Sequence, residues 1–97
     1  MKTRYFILID HQVVRVLNHK AWASWYHRTS LGERLVDCTD VGDTHVSTAF
    51  IGLDDCLFQT MVFGGPLDSE VTRTNTFRDA RVAHVRMVDR VRHSHSD

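Results

Sequence analysis

The stretch Val46 to Gly65, VSTAFIGLDDCLFQTMVFGG, decides the fold of this 97-residue chain. Two runs rich in β-branched and aromatic residues, Val46 to Leu53 and Cys56 to Phe63, flank Asp54-Asp55, and Gly64-Gly65-Pro66 stops the second. The pattern reads as an antiparallel hairpin. Its tip lacks the Asn-Gly or Asp-Gly of a tight two-residue turn, so a wider loop is expected. Phe50, Leu57, Met61 and Phe63 are residues a core needs, which leaves the tip as the part open to function.

Working outward, Tyr5 to Ile9 and Val13 to Leu17 are short β-rich runs around Asp10-His11, a first hairpin or one strand with its extension. Asn18 is placed to cap a short helix, His19 to Arg28, on which Trp22, Trp25 and Tyr26 share a face. Thr29 to Gly32 reads as a turn. Arg34 to Val41 reads as a half-buried strand with Val36 and Cys38 on one side and Asp37 and Thr39 on the other. Past the hairpin, Glu70 to Thr74 resumes strand-like alternation. Thr76 then caps a final helix, with Asp79 in its first turn and an apolar stripe of Phe77, Ala80, Ala83, His84, Met87, Val88 and Val91. That helix is expected to end near Arg92, with 93–97 a disordered polar tail.

The expectation is one α+β domain over 1–97. An antiparallel sheet of about four to six strands carries a short helix after the N-terminal strands and a long C-terminal helix packed on one face. Tyr5 to Ile9 is too short for a signal-peptide core or a membrane span, so a cytoplasmic protein is expected. The composition, 42% hydrophobic, is that of an ordinary globular protein.

The formal net charge is zero, but only by cancellation. Met1 to Arg34 carries six Lys or Arg against two acids, Leu35 to Glu70 seven acids and no Lys or Arg, and Val71 to Asp97 six Arg against three Asp. The acidic middle, with Asp37, Asp40, Asp43, Asp54 and Asp55 on strand ends and turns, either neutralises its basic flanks or meets a basic partner. An exposed aromatic such as Tyr5, Trp22 or Phe58 would anchor such a partner.

The remaining chemistry is sparse. His19 and His27 stand two helical turns apart, too far to share an ion, and His93 and His95 fall in the expected tail, so no metal and no cofactor is expected. Cys38 and Cys56 lack paired spacing and read as free, half-buried thiols. His84, in the middle of the apolar stripe, is either a satisfied core histidine or a base if Asp37 or Asp40 approached it, with a cysteine as nucleophile. The arginines of the last helix, Arg78, Arg81 and Arg92 on one flank and Arg86 and Arg90 on the other, form no single stripe, which argues against nucleic-acid binding.

Tyr5-Phe6-Ile7-Leu8, the Trp22 and Trp25 helix, VST-F-G-D at Val46 to Asp54, LF-TM-FGG at Leu57 to Gly65 and the Ala83-His84 helix resemble a family of small uncharacterised proteins encoded by phages and prophages. The chain departs from that pattern at Asp54-Asp55, where relatives carry a longer loop with glycine and proline. The family is defined by structural residues and offers no catalytic motif. The resemblance implies a phage or prophage setting more than a function. With the acidic middle of the chain, and by analogy with small phage accessory proteins, the expectation is a non-enzymatic protein that binds a host protein stoichiometrically and inhibits it by occlusion. By analogy this is an anti-CRISPR inhibitor acting on a CRISPR effector component with a basic surface. The partner-binding residues expected are Asp37, Asp40, Asp43, Asp54, Asp55 and Trp22. The alternative is a structural module that pairs into a homodimer through its edge strands; a nucleic-acid binder or a small enzyme using His84 ranks below both.

Overall fold

The computed structural model describes residues 3–95, and its architecture is the expected α+β one. In chain order the elements are β1 (Tyr5–Ile9), β2 (Gln12–Val16), α1 (His19–Arg28), α2 (Leu31–Arg34), β3 (Leu35–Val41), β4 (Thr44–Leu53), β5 (Cys56–Phe63), β6 (Val71–Thr74) and α3 (Phe77–Ser94). All strand pairings are antiparallel, in the order β2-β1-β4-β5-β6, with β3 also paired to β4. The ten-residue β4 organises the sheet. One edge is paired to β5 nearly throughout, and the other is shared by β3 along Thr44 to Ala49 and by β1 at Leu53.

The helix ends obey their local signals. Asn18 Oδ1 accepts from Ala21 N at 2.9 Å, and Thr76 Oγ1 accepts from Asp79 N at 3.0 Å, each satisfying an amide that the first turn leaves without a partner. The segment expected as a turn contains a further short helix, because Ser30 and Glu33 form a reciprocal capping box. At the other end α3 continues to Ser94, past the expected stop near Arg92. Ser94 Oγ donates to Val91 O, and His95 Nε2 lies 2.9 Å from Thr44 Oγ1, tying the helix end to β4. Of the expected tail, Ser96 and Asp97 lie outside the described residues.

Period-two alternation on β4 and β5 buries one set of side chains beneath the helices. Val46, Thr48, Phe50, Phe58, Thr60 and Val62 are sealed, while Ser47, Ala49, Gln59, Met61 and Phe63 face the other way, so Met61 and Phe63 are not the core residues the sequence suggested. The core has two apolar clusters. Trp25 of α1 and Ala80 of α3 pack on Phe50 and Phe58, and Met87, Val88 and Val91 pack on Val46 and Val62. Each buried phenylalanine contributes about 1.5–3 kcal/mol of transfer free energy. Phe58 is therefore a core residue and cannot be the exposed anchor expected from sequence.

The β4–β5 loop is two residues long, since Leu53 pairs with Cys56. Neither Asp54 nor Asp55 has positive φ, so the turn is not one of the mirror-image types whose twist matches a hairpin. The mismatch is taken up by an irregularity between Phe50 and Leu53, where Gly52 has φ +86°. A Cβ at Gly52 would collide with Phe6 O and come 2.8 Å from both the Phe50 ring and Trp22 Nε1. The missing side chain lets Trp22 Nε1 donate to Ile51 O at 3.1 Å, docking α1 on the sheet.

Gly52→Ala should therefore cost at least ~3 kcal/mol in urea unfolding. Gly42→Ala, at φ +59° but with nothing within 4 Å, should cost about 1 kcal/mol. Equal losses would show that close approach at Gly52 is unimportant.

Candidate functional site

β3 is where the sequence reading and the structure diverge. Its pairing with β4 shifts between Leu35 and Asp37, a bulge that places Val36 against the core and reverses the phase of every residue after it. Asp37, Thr39 and Val41 now lie across from Thr48, Val46 and Thr44 on the helix side. Cys38 and Asp40 lie across from Ser47 and His45 on the opposite side. Cys38 is thus exposed, not half-buried, and lies on the face opposite to Val36.

On the helix side, His84 is 2% exposed and both of its ring nitrogens are engaged. Nδ1 is 2.8 Å from Thr48 Oγ1 and Nε2 is 2.9 Å from Thr39 Oγ1; Thr48 Oγ1 is in turn 2.6 Å from Thr60 Oγ1. Hydroxyls both donate and accept, so this chain satisfies a neutral imidazole of either tautomer. The Asp37 carboxylate reaches within 3.8 Å of Nε2. Burial pushes the His84 pKa below its ordinary 6.5; Asp37 opposes the shift and His45 adds to it. Among the described side chains, no cysteine appears in the hydrogen-bond chain around His84. His84 is a satisfied core histidine.

On the opposite side, three side chains meet that sequence reading did not connect. Asp40 Oδ1 lies 2.6 Å from His45 Nδ1, and His45 Nε2 lies 3.6 Å from Cys38 Sγ. A carboxylate can only accept, so Nδ1 is the donor and a neutral ring turns its lone pair at Nε2 toward the sulfur. Cys38 and Asp40 share a face because they are two apart on one strand, and His45 sits directly across from Asp40. The imidazole uses opposite nitrogens for the two contacts, so the three groups do not converge on one point, and among the described residues no cluster able to hold a metal ion is found. The legible signal was the spacing Cys38-x-Asp40 followed by His45 beyond the Gly42-Asp43 turn.

The expected acidic residues divide between sites. Asp40 and Asp43 lie at one end of β4 and Asp54 and Asp55 at the other, roughly 30 Å apart by strand rise. Asp54 is paired with Arg4 at 2.6 Å, whereas among the described residues no Lys or Arg is within ion-pair distance of Asp40, Asp43 or Asp55. Asp37 faces a cleft of about 570 Å³ beside Arg78, Arg81, Val85 and Arg86 of α3. Arg90 approaches Glu70 at 3.7 Å across β6. Trp22 is half-buried among Tyr5, His19 and Tyr26 and is committed to holding α1.

Among the described helices none is long and apolar enough to cross a membrane.

Because the folded-state pKa of His84 is lowered, the unfolded chain takes up its proton first as pH falls through about 6.5. Stability is therefore lost on acidification, by at most about 1.4 kcal/mol per pH unit for this one group, until the folded pKa is passed. Urea midpoints at about pH 7.5 and about pH 5.5 should fall further for the wild type than for His84→Gln. Equal falls would remove His84 as the source.

No protein-family model, curated protein or solved structure matches the chain.

Proposed function

We propose that this chain is a phage or prophage accessory protein that binds a host protein stoichiometrically through the uncovered face of its sheet and inhibits it by occlusion. The observation that carries this reading is the one-sided covering of the sheet. α1 and α3 both pack on the Phe50 and Phe58 side. The opposite face presents Ala49, Met61, Phe63 and Val71, with Phe63 49% and Val71 37% exposed. An apolar centre with polar margins is the usual anatomy of a protein interface. Arg73 of β6 lies across from Gln59 on this face and Arg4 neutralises Asp54, so the acidic margin is Asp40 and Asp43 at one end of β4 and Asp55 at the other.

That charge suits a partner whose surface is Lys- and Arg-rich, as a nucleic-acid-binding protein's is. A CRISPR effector component with a basic surface is the host partner that analogy with small phage accessory proteins suggests. Phe63 takes the anchoring role that sequence reading gave to Tyr5, Trp22 or Phe58. A homodimer formed through the same face would be a competing use of it, and the test below distinguishes the two.

Capture from host lysate with the tagged protein should recover one basic partner. Phe63→Asp should reduce its affinity more than about tenfold. Asp43→Lys with Asp55→Lys should flatten the salt dependence of association. Undiminished binding by both variants, or a wild-type dimer in light scattering that Phe63→Asp converts to monomer, would defeat the proposal.

A further inference from the structure

The Cys38, His45 and Asp40 arrangement carries an inference independent of partner binding. We propose that Cys38 is a nucleophilic thiol whose co-reactant is a low-molecular-weight disulfide of the glutathione class, with His45 as its base and Asp40 positioning the imidazole. The geometry is that of a nucleophile, a base and an orienting carboxylate in series: Sγ to Nε2 at 3.6 Å and Nδ1 to Oδ1 at 2.6 Å. The thiol is exposed on the uncovered face, so a peptide-sized reagent can reach it.

The donor nearest the sulfur is already committed, which favours an electrophile that needs none. Acyl transfer needs donors for a developing oxyanion. The backbone N–H of Cys38 instead donates to Asp37 Oδ1 at 2.8 Å. Attack on a disulfide sulfur needs no such donors. In the step, the Cys38 S–H proton passes to His45 Nε2 as the sulfur attacks one sulfur of the disulfide. A new S–S bond forms, the old one breaks, and the departing thiolate leaves with the electron pair and is protonated by the imidazolium or water. Cys38 is oxidised to a mixed disulfide and one half of the reagent is reduced to a thiol.

The adduct cannot be resolved within the chain. Cys56 is buried, its thiol pKa is raised chiefly by that burial, and it pairs with Leu53, six positions along β4 from the Ser47 opposite Cys38, or about 20 Å. The groups that bear on the reacting pair are Asp37 and Asp40 on β3 and His45 itself on β4. Among the described residues of β5, the uncharged Met61 and Phe63 adjoin, and His84 of α3 lies through the sheet.

The test is incubation of the reduced protein with glutathione disulfide, followed by peptide mass spectrometry and rate measurement across pH. One glutathione should appear on Cys38 and none on Cys56. His45→Gln and Asp40→Asn should each slow the reaction about tenfold near neutral pH. For His45→Gln the deficit should shrink toward unity above about pH 8.5, where a thiol ionises unaided; a merely structural change would lower the rate equally at every pH. Modification of Cys56, or a His45→Gln rate equal to wild type near neutrality, would overturn the proposal.

Discussion

The buried hydrogen-bond chain Thr39, His84, Thr48 and Thr60 ties α3 to β3, β4 and β5 in one register. It lies between the two apolar clusters, so the core is apolar, polar, then apolar along the length of α3. Hydrophobic contact alone would tolerate α3 sliding by a turn or β4 slipping against its neighbours. A slip by two residues would put an apolar side chain beside His84 and leave a threonine hydroxyl or a ring nitrogen unsatisfied, at roughly 1–3 kcal/mol per group. A slip by one would turn the whole strand inside out. The polar layer thus selects one register from several that apolar packing would accept.

That register also determines what the other face displays. Once Thr48 and Val46 are committed to the helix side, Ser47, Ala49 and His45 must face away. The bulge after Leu35 sends Thr39 inward to reach His84, and the same half-turn sends Cys38 and Asp40 outward to flank His45. The core histidine and the exposed triad are opposite consequences of one strand pairing. The uncovered apolar face is its third consequence.

Much of this was legible in the sequence. Asn18 and Thr76 announce their helices through side chains that cap the following turn, and VSTAFIGL and CLFQTMVF announce a hairpin through composition and spacing. What the sequence hid was phase. Val36-Asp37-Cys38-Thr39 alternates convincingly in the wrong sense, because a bulge inserts one residue without a local composition signal. The Ser30 to Glu33 capping box was legible but lay within a segment whose glycine suggested a turn. The spacing of Cys38, Asp40 and His45 was legible, but which of them share a face was not, because that belongs to the pairing of β3 with β4 and the bulge reverses it.

One face of β4 is sealed beneath helices while the other is open. The most direct test of this two-sidedness is the thiol-labelling rate of single-cysteine variants Val46→Cys, Ser47→Cys, Thr48→Cys and Ala49→Cys in a background with Cys38 and Cys56 replaced by Ser. Labelling should follow a period-two pattern, with positions 47 and 49 about a hundredfold faster than 46 and 48, the ratio that roughly 3 kcal/mol of local opening imposes. Uniformly slow labelling at all four positions, or the same alternation in the opposite phase, would contradict it.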